Sequence, residues 1–426
     1  MSSKSLAPIH LAPAQAPRHA GNAFLLWYQT LVLAAALGTI YANLPIYGYF
    51  LNPALLPKFT YFAIFFLVAP LMLLKSHSFG AYLMSPFVVW AGAFLVLNLI
   101  HLGIVVASSS WESMYVFDLH GDARQALITT RIQYLVFAVF LGFVAYISAD
   151  KRYLSMMAVL MVVLPCAVIL DFAQPGLLYP LDTEGAVLGR AAAMFINPTS
   201  AGEAILLVFV IGCVVIPAKY RVALFVLSGA AVITTFSRSS IIAWVLLAVI
   251  LVYKRSLSKS AVITLLSVAG VSLALLGAFE SYLESREELT AASSNILSRL
   301  DFFSTFKFTD DSSEERAGVI QAGWDLFLDN PIIGAGAGAT HFWSHRGSTH
   351  NQLILLAAEY GLLGIMLWVW LLVILWKGKF FEEKGLHASL VFLFVFMTLF
   401  THQMFDAASY WLATFALMSI RKNNIG

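Results

Sequence analysis

Apolar runs long enough to cross a bilayer recur along this chain from Phe24 to Ile420, and no soluble block longer than one loop separates them. A helix needs about 20 mostly apolar residues to cross roughly 30 Å of hydrocarbon. Membrane β-barrels are instead written as shorter alternating segments. The composition agrees, with 60% apolar residues against 11% Asp, Glu, Lys and Arg, whereas a soluble domain carries about 25% charge to hydrate its surface. Length alone would suggest about three soluble domains. The hydropathy replaces that with one polytopic all-α membrane domain over residues 1–426.

Net charge is only +2 and no basic run is interleaved with aromatics, which argues against a nucleic-acid partner. Cys166 and Cys213 both fall inside apolar runs and read as packing residues, not as a disulfide or a metal pair. The polar start contains Pro8, Pro13 and Pro17, and no small-residue cleavage site follows the first apolar run. The first helix is therefore expected to be retained.

Apolar windows predict twelve transmembrane helices, at about 24–42, 59–74, 84–107, 131–148, 153–170, 201–217, 222–236, 239–253, 260–279, 351–376, 388–401 and 405–420. Cytoplasmic loops carry an excess of Lys and Arg, which tests this layout. With the N-terminus inside, 15 of the 25 cations fall in inner loops: Lys4, Arg18, Lys75, Lys151, Arg152, Lys219, Arg221, Lys254, Arg255, Lys259, Lys377, Lys379, Lys384, Arg421 and Lys422. Of the other ten, five fall in the long segment 280–350, which can translocate whatever its charge. Both termini are thus expected in the cytoplasm. The two long outer segments are 171–200 and 280–350. The second reads as a small subdomain inserted between helices 9 and 10, with a helical run through Glu314 to Leu328, the turn Asp329-Asn330-Pro331 and the glycines Gly334, Gly336 and Gly338.

His350, in Ser348-Thr349-His350-Asn351, lies at the outer mouth of the tenth helix. Imidazole titrates near pH 6.5 when unperturbed and can take a proton from a hydroxyl at neutral pH; a helix-capping role accounts for the same position. Arg190, Arg238 and Arg316 lie in three different outer segments. Guanidinium groups stay charged and match phosphate oxygens in two-pronged fashion, so several converging would cradle a pyrophosphate; snorkelling arginines are the alternative. Arg238 is the strongest of the three, because Thr234-Thr235-Phe236-Ser237-Arg238-Ser239-Ser240 is a tight turn between two apolar helices.

Other residues carry less. Ser200-Ala201-Gly202-Glu203 reads as a capping box, which keeps Glu203 out of the catalytic set. Glu359 sits too deep in the tenth helix to touch His350 and needs another partner. His341 and His345 have the four-residue spacing of metal ligands on one helix face, but Gly347 interrupts the segment and no metal is expected. Gly334-Ala335-Gly336-Ala337-Gly338 lacks the Lys-Ser/Thr of a phosphate-binding loop and reads as a flexible turn.

Arg316 to Gly364, with Asp329-Asn330-Pro331-Ile332-Ile333-Gly334-Ala335-Gly336, Thr349-His350-Asn351 and Glu359-Tyr360-Gly361-Leu362-Leu363-Gly364, resembles the C-terminal signature of the O-antigen ligase and polymerase superfamily. Arg190 through Asn197-Pro198, and Phe236-Ser237-Arg238, resemble two further landmarks of that family. The first five helices match it only in hydropathy. The resemblance implies a GT-C-like bacterial inner-membrane glycosyltransferase that takes glycan from undecaprenyl pyrophosphate on the periplasmic side. It assigns His350 to activating the acceptor hydroxyl and Arg190, Arg238 and Arg316 to holding the pyrophosphate, with Asn197, Asn351 and Glu359 in support and no cofactor. His350-Asn351, Gly361 and Gly364 fit the ligase pattern, whose acceptor is lipid A-core. A polymerase using the same carrier is the alternative. Its pattern of Arg, ten residues, Gly is met only by Arg131 to Gly142, inside an expected helix. A transporter or flippase would also have twelve helices, but it calls for polar groups at the bilayer midplane.

Overall fold

The computed structural model describes residues 20–107, 121–148, 151–178, 190–258, 311–345, 348–401, 404–405 and 409–420, together with 260 and 267. These residues form helices and no strand. In chain order the helices are α1 (Ala20–Tyr41), α2 (Leu44–Leu51), α3 (Pro57–Leu74), α4 (Ser76–Leu83), α5 (Pro86–Ala107), α6 (Gly121–Ile147), α7 (Lys151–Ala173), α8 (Pro198–Gly212), α9 (Ala218–Thr234), α10 (Arg238–Tyr253), α11 (Asp311–Asp329), α12 (Gln352–Lys377), α13 (Lys384–Thr398) and α14 (Ser409–Met418).

By length and composition, six are long and apolar enough to cross a membrane: α1, α3, α5, α6, α7 and α12. Four more, α8, α10, α13 and α14, are apolar but shorter. The expected span at 260–279 lies outside the described residues apart from 260 and 267, as do 179–189, 280–310 and 346–347 of the two outer segments. Two boundaries moved for identifiable reasons. Helix α8 starts at Pro198 instead of 201, because proline's fixed φ suits the first helical position and Asn197 caps it. Helix α6 begins ten residues before the expected 131, since its first turns are too polar to register in an apolar window. The short helices α2 and α4 were not anticipated.

Apolar side chains gain little by leaving lipid for one another, so close packing and interhelical hydrogen bonds must hold such a bundle together. Helix α6 packs on α14, α7 on α8 and α9, α5 on α6, and α10 on α13. At the α6–α14 contact, Gly142 lets Tyr82 Oη and Ala416 approach where a Cβ would collide. Buried polar tips are tied across helices: Trp90 Nε1 donates to Leu367 O at 2.9 Å and Trp244 Nε1 to Phe225 O at 3.1 Å. Cys213 is buried, but Cys166 is exposed on α7, so the packing role expected of both holds for Cys213 alone. The face of α7 that carries Cys166 also exposes Val159, Val162, Val163 and Leu170.

Contacts sort the loops into two ends. At one, Arg221 donates to Ile216 O, Ser256 O and the Glu383 carboxylate, joining three interhelical connections. At the other, Asn43 reaches Met194 O, Tyr47 donates to Leu178 O, and Arg190 donates to Thr235 O. Gly142→Ala is expected to lower stability by about 1–3 kcal/mol through overpacking. Gly92→Ala on α5, whose Cβ would meet nothing within 4 Å, should be neutral or stabilising. Thermal unfolding in detergent compares the two.

Candidate functional site

Two helix starts lie side by side at the second of these ends. Asn197 caps α8 by accepting from Thr199 N at 2.8 Å. Ser237, the N-cap of α10, donates its hydroxyl to Thr199 Oγ1 at 3.3 Å and receives one from Ser240 at 3.0 Å. Arg238 is the first residue of α10 and is buried. Arg190 Nε donates to Thr235 O at 3.0 Å and Ala191 N to Thr234 O at 3.1 Å, so the 190 segment is pinned to the turn that precedes Arg238. Asp171 fixes the next residues by accepting from Ala192 N and Ala193 N at 3.0 and 2.8 Å. Ala193, Ile196 and Phe236 all have positive φ, of 45°, 64° and 47°. Such backbone costs about 1–3 kcal/mol per residue and marks sites where geometry is imposed. Unpaired N–H groups and the helix dipole make each helix start attractive to anions. The corner adds two arginines to two such starts.

The third helix start belongs to α12. Asn351 caps it, accepting from Ile354 N at 3.0 Å, and Thr349 donates to Asn351 O at 2.9 Å. His350, half-buried between them, is held at φ 49°. Gln352 accepts from Met404 N at 3.0 Å, and a few residues further along the chain Tyr410 and Trp411 donate to Glu203 on α8 at 2.9 and 2.7 Å. The α12 start and the α8 start therefore lean on one stretch of chain. Glu203 is a buried acceptor for two aromatic donors. The capping box expected of it is absent because the helix begins before Ser200.

Arg316 is carried by α11, which packs on α12. The two run parallel: at Gly323 the neighbours are Ile354 and Thr349, and further along both Pro331 O accepts from Leu362 N. Seven residues before Gly323, Arg316 is exposed about 10 Å further out, past the start of α12. The structure thus brings Arg190 and Arg238 to one turn and sets Arg316 on the His350 side.

Below His350, α12 is broken at Gly361, whose φ of 63° and ψ of −145° are open essentially only to glycine. A Cβ there would collide with the Ile332 backbone, and one on Gly334 with the Glu359–Tyr360 backbone. The two glycines let two main chains touch. The freed carbonyls of Ala358 and Glu359 accept from Ala335 N and Gly336 N at 2.8 and 3.0 Å. Ala337 N donates to His101 Nδ1 at 2.8 Å, while Arg124 donates to the carbonyls of Ala337 and Ala335 at 2.8 and 3.1 Å. The glycine-rich run is pinned, not a flexible turn, and these amides are already used.

The partner Glu359 requires is Arg131 of α6, at 2.6 Å, with both side chains buried. Arg131 also donates to Tyr360 Oη at 2.8 Å, Tyr360 to Asn98 Oδ1 at 2.7 Å, and Thr340 to Glu359 Oε1 at 2.8 Å; His341 Nδ1 is 3.6 Å from that oxygen. Residues 341–345 form turns and bends, so His341 and His345 do not share a helix face, and among the described residues no cluster suited to a metal occurs. The network lies roughly 10–15 Å below the ends of α6 and α12. Two charged groups thus lie well inside α6 and α12. Intramembrane charge was the signal available in sequence for Arg131, but no pattern paired it with a residue 228 positions away.

Glu359→Ala leaves a buried guanidinium uncompensated and is expected to cost about 3–5 kcal/mol, whereas replacing both Arg131 and Glu359 by Met should recover much of the loss. Unfolding midpoints of the single and the double variant measure this directly.

No curated protein matches the chain. Residues 223–369 match the family model described as O-antigen ligase. That stretch takes in Arg238, Arg316, His350, Glu359 and the Gly334–Gly361 contact, and leaves Arg190 and Asn197 outside. Through that stretch, about a third of its length, this multi-pass helical chain is similar to the O-antigen ligase family, in line with the resemblance seen in its sequence.

Proposed function

We propose that the protein is an O-antigen ligase of the bacterial inner membrane, transferring glycan from undecaprenyl pyrophosphate to lipid A-core on the periplasmic face. The end of the bundle bearing His350 and Arg238 is placed in the periplasm, with both termini and the remaining expected spans arranged accordingly. The observation that carries this reading is the meeting at one end of the bundle of the α8–α10 corner, with Arg190 and Arg238, and the α12 start, with His350, both braced by Met404–Trp411.

In this mechanism, negative charge develops on the leaving pyrophosphate as the anomeric C1–O bond breaks. The Arg190 and Arg238 guanidiniums, with the N–H groups of two helix starts, stabilise that charge without reorganising. Arg316 approaches the same phosphates from α11. His350 takes the proton from the acceptor hydroxyl as it attacks the opposite face of the sugar, giving inversion. The strained backbone at His350, between the capping Asn351 and Thr349, aims the imidazole. Asn197 holds the α8 start, and Glu359 supports the loop that leads to His350. The energy of the carrier bond drives the step.

His350→Ala should lower transfer by about 10²–10⁴-fold, the usual worth of a general base, at unchanged protein level. Arg238→Lys, which keeps charge but loses the two-pronged geometry, should also impair it. Lipopolysaccharide ladders from a complemented deletion strain report both, and a normal ladder with His350→Ala would remove that residue from the mechanism. Purified enzyme given carrier-linked glycan with lipid A-core should form a ligated product. Elongation of carrier-linked repeats alone, with no product on lipid A-core, would identify a polymerase.

A further inference from the structure

At the end of α10 away from Arg238, a groove of about 930 Å³ opens between the start of α9 and the end of α10. Its lining includes Lys219, Val222, Tyr253, Arg255, Ser256 and Ser258. Nearby Arg221 donates to Ile216 O, Ser256 O and Glu383. Among the described residues, Lys219 and Arg255 have no carboxylate partner; the ammonium of Lys219 rests over the Tyr220 ring at 4.8 Å. Arg255 is held at φ 63° by its N–H bond to Val252 O, a strained conformation of the kind kept at ligand clamps. Ser256 is 3% exposed, and its buried hydroxyl has no hydrogen-bond partner among the described residues. That hydroxyl packs against Gly385 of α13.

The walls of the groove indicate its ligand. Val222, Val252 and Tyr253 line the groove, with Tyr253 78% exposed, and Tyr220, whose ring meets Lys219, is 54% exposed, as aromatics are at a membrane interface. Two cations without a carboxylate partner among the described residues, serine hydroxyls and an apolar wall at the interface fit a phosphodiester whose glycerol and acyl carbons continue along the protein. We propose that this groove binds the headgroup of an anionic phospholipid, of the phosphatidylglycerol class, from the leaflet opposite the candidate active site. A free phosphate ester would leave the apolar wall and the tyrosines without a role.

Phosphatidylglycerol with a photoactivatable headgroup, added to the purified full-length protein in detergent, tests this by peptide mapping of the crosslinks. Label is expected within 217–222 and 252–258, displaced by unlabelled phosphatidylglycerol and not by phosphatidylcholine or soluble glycerophosphoglycerol. Lys219→Gln with Arg255→Gln should cut labelling roughly thirtyfold, the scale of two basic contacts to an anionic lipid, and Lys219→Arg with Arg255→Lys should retain it. Equal displacement by phosphatidylcholine, or label mapping elsewhere, overturns the proposal; equal displacement by the soluble ester overturns the lipid as its ligand. These competition arms use the unsubstituted protein and stand even if the double Gln variant does not fold.

Discussion

Breaking a helix inside hydrocarbon releases backbone groups that lipid cannot satisfy, and the arrangement around α12 follows from how its break at Gly361 is made good. The carbonyls of Ala358 and Glu359 are filled by the amides of Ala335 and Gly336, which requires the 334–338 segment to come down against the helix. Segment 334–338 then has carbonyls of its own to satisfy, and Arg124 supplies the donors. The acid next to the break needs a cation, and Arg131 supplies it. Each requirement recruits another helix, so α5, α6 and α12 are held together by one connected polar network. Its Thr340 and His341 members tie it to the chain that leads up to His350.

Charge elsewhere in the molecule is used in two further ways. At the α8–α10 corner, arginines are added to helix starts that already attract anions, so the local field is concentrated where the turns are strained. At the opposite end Arg221 is consumed in joining three loops, and what remains positive there faces the groove. Arginine is therefore tied to an acid or to backbone carbonyls at Arg131, Arg124 and Arg221. At Arg190, Nε pins the 190 segment to the turn before Arg238.

The helical class and the positions of most apolar elements were legible in sequence because hydrocarbon thickness imposes a length on them. The motif residues were legible too, but not the reason for their spacing. Gly361 and Gly334 mark a contact between two main chains, which only the docked geometry reveals. The capping box at Glu203 failed because Pro198 and Asn197 are the stronger start signal three residues earlier. The pairing of Arg131 with Glu359 was hidden, since a hydropathy window sees each charge only against its neighbours in the chain. Arg238 stood out in sequence as a charge at a tight turn and Arg190 as a cation of an outer segment, yet their shared turn depends on a backbone bond from Ala191 to Thr234 that no local pattern encodes.

The separation of 228 residues between Arg131 and Glu359 also sets an order of events during synthesis. At about 5–20 residues per second, α6 is made roughly 10–45 seconds before the ribosome reaches the acid that neutralises it. Throughout that interval Arg131 is an intramembrane cation awaiting its counter-ion, and the aqueous boundary or the insertion machinery must shelter it. The outer half of the bundle is therefore the last part to close. Its final geometry is fixed only when α12 has entered the membrane beside a helix that has been waiting for it.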